Sequence, residues 1–91
     1  MPLPRTRDQA LTWVIQLVIE GLGADPAKVT AEARFEQDLG ADSLDVAWLQ
    51  SDIEDQLGVS FTPAETETLT TVGALAAAVA NRLSPASAAP R

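Results

Sequence analysis

Asp38-Leu39-Gly40-Ala41-Asp42-Ser43-Leu44-Asp45 is the stretch around which this sequence organises itself. It reads as a loop turning into a helix. Gly40 lets the backbone turn tightly, and Ser43 stands where the helix starts, so its hydroxyl is expected to be exposed. Asp42 and Asp45 favour the positive end of the helix dipole. The helix then runs from about Ser43 to Leu57 and stops at Gly58, a residue suited to the position just past a helix end. Val46, Leu49, Ile53 and Leu57 make the stripe that it would bury.

Upstream of this stretch, residues 23–42 carry Gly, Pro and Asp at intervals and no helical stripe of useful length. They read as a long ordered loop, with Val29 and Phe35 as its anchors in the core. Asp25 before Pro26 has the pattern of a cap and a first helical position, which fits one turn around Pro26–Val29. Further back, Leu11, Val14, Ile15, Val18 and Leu22 recur at three- and four-residue steps, predicting a helix from about Thr6 to Leu22. Thr6 and Gln9 have capping-box spacing, and Gly21 and Gly23 supply a stop. Trp13 lies beside this stripe without an assigned place. Residues 1–5, with two prolines, read as a flexible lead-in.

Downstream, Thr62-Pro63-Ala64-Glu65 is the start of a short helix: a Thr cap, Pro at the first position and Glu at the third. Thr70 and Thr71 are new capping candidates, so that helix has only one or two turns. A last helix covers roughly Val72 to Leu83, facing inward with Leu75, Val79 and Leu83. Its alanines, Ala74, Ala76, Ala77, Ala78 and Ala80, make it slim, which means either close helix packing or a wider interior cavity. Val59 to Phe61 is too brief to pair as a strand, and residues 84–91 read as a disordered tail. The fold class is all-α: a small four-helix bundle of three longer helices and one short one, with a long loop between the first two long helices. One domain spans 6–83.

Composition narrows the function. Ninety-one residues with a hydrophobic fraction of 46% make one small core. There is no cysteine and no histidine, which removes disulfides, thiolate metal sites and every Ser/His or Cys/His catalytic pair. No metal site and no enzyme is expected. The net charge is −7, and ten acids lie between Glu32 and Glu67 against the single base Arg34. Such a chain repels nucleic acid and anionic membranes and attracts basic protein surfaces. The apolar run Trp13 to Ile19 is too short to cross a bilayer and lacks a cleavage site. A monomeric cytoplasmic protein is expected. Asp38, Gly40 and Asp42 superficially suggest a calcium loop, but Ser43 would stand where its Gly belongs and Leu49 where its bidentate Glu belongs. A nucleophile elbow fails as well, with Ala41 and Asp45 at its two glycine positions.

The stretch from Asp38 to Asp45 resembles the phosphopantetheine attachment motif of acyl carrier proteins, in which an Asp-Ser-Leu triplet follows Leu-Gly-Ala or similar. The likeness extends from about Leu11 to Leu83, through Val29-Thr30, Phe35 and Leu69-Thr70-Thr71-Val72. It implies that Ser43 takes a 4′-phosphopantetheine arm from coenzyme A through a separate phosphopantetheinyl transferase. Asp42 and Leu44 would flank the arm. The carrier would then tether acyl intermediates as thioesters and shuttle them between enzymes of a lipid or polyketide pathway, fatty acid biosynthesis among them. Two other readings stay open: an aminoacyl or peptidyl carrier, and a cofactor-free acidic adaptor in which Ser43 is merely a helix cap.

Asp45, Trp48, Asp52 and Asp55 fall on one face of the second helix, opposite its buried stripe. An exposed Trp among carboxylates suits the docking of acyl-transferring or acyl-modifying enzymes with basic surfaces. The alternative is a Trp48 folded back into the core. The resemblance has a departure here, because carriers of fatty-acid synthesis usually present an acidic residue at the position of Trp48 and apolar ones around Gln50 and Ser51.

Overall fold

The Thr6 hydroxyl opens α1 (Arg7–Leu22) by accepting the Gln9 N–H at 3.1 Å. The capping box is only half made. Gln9 Oε1 reaches past Thr6 and accepts the Arg5 N–H at 2.8 Å instead. The computed structural model describes residues 3–83 and, of Leu83, the backbone; the expected disordered tail and the inward side chain of Leu83 lie outside that part. Four α-helices follow in order: α1, α2 (Ser43–Leu57), α3 (Pro63–Thr66) and α4 (Val72–Leu83). This is the small all-α bundle, three long helices and one short, that the periodicity implies. Among the described residues no helix is long and apolar enough to cross a membrane.

The buried stripe of α1 is rotated from the expected one. Ala10, Trp13, Val14, Leu17 and Val18 are buried, while Leu11, Ile15 and Leu22 are half-buried. Apolar residues occupy so much of α1 that spacing alone fits two adjacent stripes, and the neighbour decides between them. That neighbour is α4, along which α1 packs most extensively. Val72, Leu75, Ala76, Ala78, Val79 and Ala80 of α4 are all buried. The slim alanine face therefore serves close packing.

A single 3₁₀ turn (Pro26–Lys28) starts the long loop, capped by Asp25 Oδ1 accepting from Ala27 N at 3.0 Å. Val29 and Phe35 are buried as the anchors expected of them, joined by Ala33 and Ala41. The loop is strapped to the start of α4 by backbone hydrogen bonds. Gly73 N donates to Ala31 O at 2.8 Å, Val72 N to Ala33 O at 3.0 Å, and Phe35 N to Thr70 O at 3.0 Å. This pairing amounts to one isolated antiparallel bridge, Arg34 with Thr71. Gly73 permits the approach, since a Cβ there would stand 2.8 Å from Ala31 O. Satisfied in this way, the loop's backbone can lie against the core without orphaned amides.

At the far end, Arg82 of α4 ties down the α2–α3 connection. Its Nε donates to Ser60 O at 2.9 Å, its guanidinium pairs with Glu65, and Cζ lies 4.7 Å above the Phe61 ring. Thr62 caps α3 in a complete capping box with Glu65.

Candidate functional site

The strapped loop delivers the chain to α2 in a fixed direction. Ala41 N donates to Phe35 O at 2.8 Å, and Gly40 turns with φ of +68°, a conformation that L side chains rarely adopt. Asp42 is the N-cap of α2. Its Oδ1 accepts from Asp45 N at 2.9 Å, and Asp45 Oδ2 accepts in return from Asp42 N at 3.2 Å, closing a capping box. Ser43 is thus the first helical residue and not the cap. The reading of Ser43 as a mere helix cap is corrected: a carboxylate one residue earlier already does that work.

Asp42 O takes the Val46 N–H at 3.1 Å and Asp42 Oδ1 the Asp45 N–H, which leaves the Ser43 and Leu44 amides at the open helix end. Ser43 is exposed and borders a cleft of about 380 Å³ between α2, the loop and the segment around α3. Phe35, Val46, Ala47 and Leu69 give it apolar walls, and Thr66 and Thr70 add hydroxyls. No residue of α4 lines it, so its width owes nothing to the alanines of that helix. At its rim Arg34 and Asp38 form an ion pair at 3.1 Å. The Arg34 side chain, by hydrogen bond above all, holds the Asp38 carboxyl below its usual range.

Leu44 is 78% exposed and Trp48 50% exposed, one turn apart on the outer face of α2. The core-filling alternative for Trp48 is thereby excluded. The three carboxylates on this face differ in their engagements. Asp45 is held by the capping box, Asp52 is half-buried and accepts from Gln56 Nε2 at 2.9 Å, and Asp55 is exposed. Of the expected buried stripe of α2, Leu49 and Ile53 are buried, while Val46 and Leu57 are half-buried.

Gln50 was not expected inside, yet it is only 6% exposed. Thr66 Oγ1 donates to Gln50 Oε1 at 3.0 Å, and Gln50 Nε2 is buried without a partner. The sequence carried a signal for it. Gln50 lies four residues after Val46 and three before Ile53, on the buried side by spacing. The lining contributed by Thr66, Leu69 and Thr70 carried no such signal, because those residues meet α2 only through the tertiary fold.

Comparison with known proteins agrees with this geometry. A family model described as "Phosphopantetheine attachment site" matches residues 12–79. An acyl carrier protein of Exiguobacterium sp. strain AT1b is 40% identical over 78 residues, covering 86% of this chain and 99% of the relative. The chain belongs to the acyl carrier protein family, whose members bear a covalently attached 4′-phosphopantetheine group.

Proposed function

We propose that Ser43 is the attachment residue, and that the protein is a carrier of acyl intermediates and not itself a catalyst, serving enzymes of a lipid or polyketide pathway. The observation that carries this is the state of Ser43: exposed, at the first position of α2, at the mouth of the cleft, and relieved of capping by Asp42.

The residues around Ser43 fit a phosphodiester. The free amides of Ser43 and Leu44 belong to the first turn of a 15-residue helix, where backbone N–H groups and the helix dipole favour an anion. The nearest carboxylates, Asp42 and Asp45, are each turned onto a backbone N–H, which draws their charge toward the helix end. When bound, the arm supplies a thiol that holds acyl groups as thioesters. No histidine is needed for its attachment, since a separate transferase brings its own catalytic groups. Here this chain's contribution is presentation: a rigid helix start, an accessible hydroxyl and a neighbouring apolar cleft.

For the partners, Leu44 and Trp48 offer an apolar centre on α2, with Asp45, Asp52 and Asp55 around it. Such a face complements a basic enzyme surface, and the steering charge would be screened by salt.

The test is intact-protein mass before and after incubation with coenzyme A and a broad-specificity phosphopantetheinyl transferase, with Ser43→Ala alongside. A single added phosphopantetheine, absent in the variant, is expected. No addition to a helical wild-type protein, or equal addition to the variant, would remove Ser43 from this role.

A further inference from the structure

Gln50 poses a problem that the fold itself does not solve. Thr66 has one hydroxyl, which reaches both Gln50 Oε1 at 3.0 Å and Thr62 O at 3.1 Å. It can satisfy one end of the Gln50 amide and no more, whichever way that amide is turned. The other end is buried with no partner. Buried polar groups in folded proteins are nearly always hydrogen-bonded, so an orphan amide calls for a partner that the chain does not supply, a water or a ligand.

Its position says from where. Gln50 stands three and four residues after Ala47 and Val46, hence on their side of α2, and its one partner is Thr66. Ala47, Val46 and Thr66 all line the cleft that opens at Ser43. Ser43 and Gln50 are seven residues apart on one helix, about 10 Å along its axis. Gln50 itself does not line the cleft and its Nε2 is fully covered, so a chain entering at Ser43 meets the amide only where the wall of Val46, Ala47 and Thr66 gives way. The other polar side chain on this side of α2, Glu54, is half-buried and already engaged, accepting from Phe61 N at 2.8 Å.

Resting on the reading of Ser43 above, we propose that Gln50 determines cargo specificity: the cleft takes acyl chains bearing an oxygen, a β-hydroxyl or β-carbonyl, in preference to saturated chains. An amide suits both kinds. Its N–H donates to a carbonyl or hydroxyl oxygen, and with the amide turned over its carbonyl accepts from a hydroxyl. A saturated chain entering the cleft leaves the buried amide orphaned.

The experiment loads the full chain, wild type and Gln50→Leu, with hexanoyl-, β-hydroxyhexanoyl- or β-oxohexanoyl-phosphopantetheine from the corresponding coenzyme A thioesters. Mass confirms each product before melting temperature and the Gln50 side-chain ¹H–¹⁵N resonances are recorded. In the wild type the oxygenated chains should raise the melting temperature above the hexanoyl form by about 4 °C, one hydrogen bond's worth in a domain this size. They should also shift the Gln50 amide resonances where hexanoyl does not. In Gln50→Leu the order of the three chains should reverse. Equal stabilisation of loaded wild type by all three, with unmoved Gln50 resonances, overturns the proposal while leaving Ser43 as the attachment residue. The same preference persisting in Gln50→Leu overturns it too. Failure of every thioester to add mass removes Ser43 itself, and the cargo preference with it.

Discussion

The Trp48 ring lies against Gly21 in the last turn of α1: a Cβ added at Gly21 would collide with Trp48 Cζ3 and stand 3.0 Å from Cη2. Gly21 is therefore more than a stop signal, because its missing side chain makes the shelf on which a half-exposed indole rests. That shelf lets Trp48 rest across the end of α1, half-exposed and clear of the core.

Gly21→Ala should push the ring off this shelf. The substitution gains helix propensity of about 1 kcal/mol and loses the covered face of the indole, so net stability should change by less than about 1 kcal/mol. Accessibility is the sensitive readout. Trp13 is buried, so acrylamide quenching of the native protein reports mainly Trp48, and the quenching constant should rise. An unchanged constant would show that the ring does not depend on Gly21.

Asp42 and Ser43 divide labour that either could have performed alone. Because Asp42 caps α2 and Ser43 does not, Asp42→Ala should cost about 1 kcal/mol of stability and Ser43→Ala next to nothing. Chemical denaturation of the two variants distinguishes them. A Ser43→Ala protein as destabilised as Asp42→Ala would return Ser43 to a structural role.

Gly73 is the tightest point of the strap between loop and α4. Its hypothetical Cβ meets the carbonyl oxygen of Ala31, a backbone atom, and the same pair makes a 2.8 Å hydrogen bond. Neither partner is a flexible side chain that can swing away. Gly73→Ala should thus destabilise by about 1–3 kcal/mol despite its better helix propensity. Hydrogen exchange at the Gly73, Val72 and Phe35 amides, which donate the strapping bonds, should accelerate beyond the global loss. Uniform acceleration throughout the chain would mean that the strap is not a local clamp.

Most of this architecture was legible because local chemistry announces it. Thr6, Asp25 and Thr62 each precede their helices as caps, and Gly23 and Gly58 end theirs in the left-handed conformation. Phe35 and Val29 could be picked as anchors because a long loop has few other apolar residues to offer. The illegible parts are those that a neighbour decides. Leu17 and Trp13 replaced Leu11 and Ile15 in the core because α4 docks on that side of a helix apolar around most of its girth. Ser43 is one residue past the cap because two adjacent residues, Asp42 and Ser43, both make good caps, and only Asp42 has a carboxylate three residues on, Asp45, to reach back and complete the box. The burial of Gln50 was masked by its polarity, although its spacing was that of an inward residue.

Glu65 links α3 to α4 and makes their attachment sensitive to acid. The Arg82 guanidinium, and then the Thr62 N–H donating at 3.0 Å, hold its carboxyl at about 2, against 4.5 for an ordinary glutamate. A carboxyl whose value is depressed by folding stabilises the native state above its unfolded value and ceases to as the pH falls through its folded one. The contribution of Glu65 is therefore complete above about pH 4.5 and fades as the pH drops toward about 2. Arg34 lowers the Asp38 carboxyl as well, so the wild-type profile alone is not diagnostic. The difference between wild type and Glu65→Gln is. The melting-temperature gap should be widest and flat near neutral pH and close between about pH 4.5 and 2. It should also narrow in high salt, because the pair is only partly covered. A gap that persisted undiminished down to about pH 2 would mean that Glu65 acts through its shape and not its charge.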